Sequence, residues 1–138
     1  MVDYGNYSYE DIEVIEVSLS AYSGEGLRVK IDKKKSLINW NDGYMWNNNF
    51  MKGLNDKKRE LIEAKLPSTK IIEFCIAYRD GRQDDISYKT FNPAIWAVEL
   101  RFSDGEILKA GGDQDFPNTW LILTDLIEEI TECSFKLR

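Results

Sequence analysis

Between Ala94 and Ser103 the chain alternates strictly. Trp96, Val98, Leu100 and Phe102 fall on one face, and Ala97, Glu99, Arg101 and Ser103 on the other. A period of two residues predicts a half-buried strand of an antiparallel sheet. Asp104-Gly105 follows, a dipeptide suited to a tight hairpin turn. Glu106 to Ala110 then returns as the second strand. A two-residue turn pairs Phe102 with Ile107 and Leu100 with Lys109, which places a lysine on the apolar face. A bulge near the turn or a snorkelling lysine stem would resolve this. After Gly111-Gly112 the pattern predicts a loop as far as Pro117. A last helix is then capped by Asn118, with Trp120, Leu123, Leu126, Ile127 and Ile130 forming its apolar stripe.

Upstream the same reasoning gives a meander. From Asp11 to Tyr22, Ile15, Val17, Leu19 and Ala21 share a face; Leu27, Val29 and Ile31 repeat the pattern after the Ser23–Gly26 turn; a short third strand runs from Ser36 to Trp40. Leu54 to Leu66 reads as a helix capped by Asn55 or Asp56, with Leu61, Ile62 and Leu66 buried and Pro67 ending it. Residues 68–78 fit a helix or a strand, and 79–93 a polar loop. Residues 1–10 are polar and tyrosine-rich, frayed or lightly docked. The fold class expected is α+β: an antiparallel sheet of about five strands in the order β-β-β-α-(α)-β-β-α, with helices packed on one face, as one domain over residues 1–138.

Composition and charge narrow the chemistry and the partners the chain can have. With 43% hydrophobic and 30% charged residues the 138-residue chain has the balance of a globular domain. It contains no histidine, so serine or cysteine nucleophiles activated by imidazole are excluded, and the commonest zinc ligand is missing. Cys75 and Cys133 have no metal-like or framework-like spacing and read as reduced thiols. No basic leader and no long apolar run is visible, so a cytoplasmic location without membrane partner is expected. The net charge of −6 divides unevenly, with residues 28–70 carrying a balance of +6 and the two flanks −6 each. Interleaving of these segments in space is the plainer outcome, and an acidic chain without aromatic-flanked basic clusters is not expected to bind nucleic acid.

Candidate chemistry is sparse. Asn41 to Phe50 packs Tyr44, Met45, Trp46 and Phe50 among asparagines, and with Trp40 it suits either a binding loop or a loop folded over the core. Glu128, Glu129 and Glu132 crowd the end of the last helix, where the macrodipole disfavours negative charge. They form a second candidate surface, for a basic partner. Asp113 and Asp115, beside Gly111-Gly112, are the residues a small-ligand or metal-dependent enzyme would use. Solvated loop acids are the simpler reading, and no catalytic residue, metal site or cofactor is assigned. Trp40, Tyr44, Trp46, Glu128, Glu129 and Glu132 are therefore the partner-binding candidates, for another protein or for a homodimer.

The spacing of Phe74 to Tyr78, Trp96-x-Val-x-Leu-x-Phe-x-Asp-Gly, Gly112 and Phe116-Pro117-x-x-Trp120 with Leu123 and Leu126 resembles a widespread set of small uncharacterised bacterial proteins. It covers roughly residues 70–130 and departs at Phe74, where a tryptophan is expected. Some proteins that look similar sit in secreted-toxin immunity systems. The resemblance thus implies a non-catalytic interaction domain of the immunity or inhibitor type. Gly111 to Phe116 is also similar to the Gly-Gly-Asp/Glu-Glu-Phe hairpin of diguanylate cyclases. However, Gln114 replaces the expected glutamate and the parallel βαβ alternation of that domain is missing, so the two glycines read as a loop exit.

Overall fold

A computed structural model describes residues 7–44, 48–90 and 94–137. Its main sheet is antiparallel, with strands β1 (Ile12–Ala21), β2 (Gly26–Asp32), β3 (Leu37–Asp42), β4 (Phe50–Gly53), β6 (Ala94–Phe102) and β7 (Ile107–Asp113) in the order β4-β3-β2-β1-β6-β7. Strands β5 (Ser87–Lys89) and β8 (Asp115–Pro117) form a separate two-stranded ribbon. Helices α1 (Asp56–Lys65), α2 (Ile71–Arg79) and α3 (Trp120–Thr131) complete the α+β architecture.

Alternation decides which sheet face the helices cover. Ile15, Val17 and Leu19 of β1, Val29 and Ile31 of β2, and Trp96, Val98 and Leu100 of β6 are buried, and they stand opposite one another in register. On the other face Glu16 lies between Lys30 and Glu99, so the charges there neighbour opposite charges as well as like ones. The β6–β7 turn corrects the expected register. Phe102 N–H donates to Glu106 O and Gly105 N–H to Phe102 O, with Gly105 at φ +90°, so an extra residue enters the turn. Leu100 therefore pairs with Leu108 and Glu99 with Lys109, whose ammonium lies 3.4 Å from the Glu99 carboxylate on the open face. No lysine sits on the apolar face of this hairpin.

Helix α1 forms where its cap predicts, with Asn55 Oδ1 accepting from Lys58 N–H at 2.8 Å. Arg59 then reaches the β2–β3 turn, donating to Lys33 O at 2.7 Å and to the Ser36 hydroxyl. Residues 71–79 are helical. Ile71, Ile72, Phe74, Cys75 and Ile76 are all buried, so α2 has almost no solvated stripe to separate helix from strand by period. Burial also pushes the Cys75 thiol far above its usual range, which makes it a small hydrophobe and not a nucleophile.

Tyr9, just before β1, docks on α2: its hydroxyl donates to the Glu73 carboxylate and accepts from Ile72 N–H at 3.2 Å. Burial first, and the Glu73 carboxylate second, hold this phenol well above its ordinary 10.0. A raised phenol value favours the protonated folded state, so the Tyr9 contribution is complete below pH 10 and falls as pH rises beyond it. Tyr9→Phe is expected to cost about 1 kcal/mol at neutral pH. The gap from wild type should narrow above pH 10 in urea unfolding followed across the alkaline range. A constant gap would mean that Tyr9 ionises as freely in the folded protein as in the unfolded chain.

Candidate functional site

Trp96 links four elements. Its indole packs on Phe74 and Tyr78 of α2 with centroids 5.6 and 4.9 Å away, and on Trp120 of α3 at 5.5 Å. Its Nε1–H donates to Asp115 O in β8 at 2.6 Å. Gly111 and Gly112 belong to β7 and not to a loop. A Cβ on Gly112 would lie 2.5 Å from Trp96 Nε1 and 2.4 Å from Asp115 O, so the missing side chain makes room for this contact.

Trp120, packed on Trp96 on one side, also lines a groove of about 490 Å³. Leu19 and Ala94 at the sheet end, Phe116 of the ribbon and Trp120 of α3 form its floor, with Phe135 of the C-terminal tail. Tyr88, Thr90, Leu121, Lys136 and Leu137 stand around its mouth. Leu121 is 63% exposed and Tyr88 40%, so apolar surface continues outward from the concavity. Tyr88 stacks on Phe116 at 6.0 Å, which holds its ring beside the opening; burial raises its phenol value.

The tail reaches the groove because α3 ends abruptly. Glu132 adopts the left-handed conformation at φ 60°, and Cys133 N–H donates to Thr131 Oγ1 at 3.2 Å. The Glu128 carboxylate then accepts from Phe135 N–H at 2.7 Å, and Phe135 packs edge-on against Trp40 at 6.0 Å.

These contacts revise the partner-binding candidates. Trp40 is 1% exposed, within β3 and stacked near Phe50, so it belongs to the core and cannot be a direct contact. Its neighbours Asn39 and Asn41 alternate with Ile38 and Asp42 across the strand, a pattern already visible in the residue order. Tyr44 and Asn48 are tied to the buried Asp42. Its carboxylate accepts from Tyr44 N–H and from Asn48 Nδ2, each at 2.9 Å, leaving Tyr44 half-buried. Trp46 lies outside the described residues.

The acidic end of α3 is occupied by the chain's own lysines. Glu129 pairs with Lys65 at 3.0 Å, and Glu132 lies within 3.6 Å of Lys52 and 3.8 Å of Lys58. The basic middle segment and the acidic C-terminal segment thus do interleave. Glu128 acts differently, as the acceptor that fixes the tail. Glu128→Ala is expected to cost about 2 kcal/mol, because a charge-assisted bond to a backbone N–H is lost. Glu129→Ala and Glu132→Ala, at exposed pairs, should each stay within about 0.5 kcal/mol. Denaturant midpoints of the three variants check this ranking.

Asp113 and Asp115 do not converge. Asp113 pairs with Ile95 in register and accepts from the Tyr22 hydroxyl, while Asp115 accepts from Tyr78 of α2 at 2.9 Å. Each carboxylate is engaged by a different tyrosine, from a different part of the chain. Among the described residues no group of three or more Cys, Asp or Glu side chains is placed to hold a metal ion, and no helix is long and apolar enough to cross a membrane.

No protein-family model, no curated protein and no solved structure matches this chain.

The residue order does not announce the groove. Its lining comes from the end of β1, the start of β6, the ribbon, α3 and the tail, and each residue in it is ordinary for its own element. The exposed leucine at the outer face of α3 is the nearest thing to a signal.

Proposed function

We propose that this chain is a non-catalytic protein-interaction domain of the immunity or inhibitor type, which engages its partner through the groove between α3, the β5–β8 ribbon and the C-terminal tail. The observation that carries the reading is the combination of a concave apolar floor with the exposed apolar side chains Tyr88 and Leu121 at its mouth. Small apolar concavities ringed by such surface are where a partner's anchoring side chains lose most water. The titratable groups lining the groove are Tyr88 and Lys136, and no carboxylate or thiol lines it among the described residues. A general acid–base pair has nothing to be built from there.

Leu121→Gln combined with Tyr88→Thr removes the apolar mouth and leaves the floor intact. Both positions are more than a third exposed, so unfolding stability should stay within about 1 kcal/mol of wild type. Affinity capture from cells that naturally make the protein should then yield a stoichiometric partner with wild type and lose it with the double variant. Equal recovery with both would remove the groove from the interface.

A further inference from the structure

We infer that the partner segment taken by this groove is apolar and acidic: one or two large apolar side chains lie on the floor, and an adjacent carboxylate pairs with Lys136. The inference rests on the interaction-domain reading above and adds the chemistry of the partner.

Lys136 is the only charged side chain lining the groove among the described residues. Among those residues it takes part in no ion pair with the chain's own carboxylates, so its charge is open to a ligand in the groove. The backbone that carries Lys136 is anchored on its N-terminal side. Lys136 directly follows Phe135, whose side chain is buried against Trp40 and whose N–H is held by Glu128. A cation carried at the mouth of an apolar trough matches a ligand with an apolar body and an anionic flank, and it repels one with a basic flank. A volume of about 490 Å³ lies within the roughly 300–1,000 Å³ range of ligand-sized sites. The apolar surface that continues over Leu121 and Tyr88 favours a polypeptide, which covers the mouth as well as the floor.

The basic partner expected from the acidic end of α3 does not share this site. Glu129 and Glu132 are engaged by lysines of α1 and β4, whereas the groove presents Lys136, which has no ion pair among the described residues.

The test uses a displayed library of random 12-residue peptides, panned separately against the wild-type chain, Lys136→Glu and the Leu121→Gln/Tyr88→Thr variant. The expected wild-type pool is enriched in sequences with paired large apolar residues beside Asp or Glu. The Lys136→Glu pool should exchange those acids for Lys or Arg. Acidic peptides from the first pool should bind Lys136→Glu more weakly by up to about fivefold, the upper end of what an exposed ion pair contributes. Identical acid content in the wild-type and Lys136→Glu pools would overturn the acidic assignment while leaving the groove as a binding site. If the Leu121→Gln/Tyr88→Thr variant returned the same peptides as wild type, the groove itself would be refuted as the contact, and the interaction-domain reading at this site with it.

Discussion

Trp40→Ala is expected to destabilise the protein by about 4 kcal/mol, the cost of deleting a large aromatic from a closed core. The indole is 1% exposed between Phe50 and Phe135. Truncation leaves a cavity where β3, β4 and the tail meet, and the surrounding strands are held in register and cannot collapse into it. Trp40→Phe should cost far less. The Trp40 Nε1–H has no hydrogen-bond partner among the described residues, so its removal forfeits apolar area and no bond. Urea unfolding of the two variants separates the cases: a large loss for alanine with a small one for phenylalanine identifies a core residue. A Trp40→Ala variant as stable as wild type would return Trp40 to the surface. The consequence for function is indirect. Without Trp40 behind it, Phe135 loses its seat, and the tail that carries Lys136 goes with it.

The second large effect is at Gly112. Alanine there brings a methyl group to within 2.4 Å of Asp115 O and 2.5 Å of Trp96 Nε1, distances that real Cβ atoms do not adopt. Both obstacles are poorly able to yield. One is backbone, and the other is a fully buried indole packed on Phe74, Tyr78 and Trp120. A loss of about 3 kcal/mol is expected, from overpacking and from breaking the Trp96–Asp115 hydrogen bond. Gly53→Ala is the control, because nothing lies within 4 Å of where its new methyl group would stand, and it should be close to neutral. Thermal unfolding of the pair decides; comparable small shifts would mean that the sheet end relaxes around Trp96 more readily than its packing suggests.

How far the residue order discloses the fold follows from element length and from burial on one side. β1, β2 and β6 are long and half-buried, so their period of two stands out, and α3 shows its stripe for the same reason. β5 and β8 have three residues each and β4 has four, too few to carry a period, so the polar stretches containing them read as loops. Helix α2 is ambiguous by period because it is buried nearly all round. Gly111-Gly112 reads as a loop because glycine pairs usually are; here they line a strand that must pass close to an indole. The candidate site is the least legible part. Trp40 and Trp46 stand out as aromatics among asparagines, although the alternation around Trp40 already marks a strand. The three glutamates of α3 stand out as unfavourable charges. The lysines that compensate Glu129 and Glu132 lie at least 64 residues away in sequence, and only the fold brings them together.

Site-specific photocrosslinking tests the groove as the contact surface most directly. A benzophenone side chain is placed at position 121 or 88 at the groove, and at position 28 or 109 on the open sheet face, and irradiated in cells that naturally make the protein. A discrete crosslinked species from positions 121 and 88, absent from 28 and 109, is the expected result. The same species from the open face, with none from the groove, would contradict the proposed function at this site.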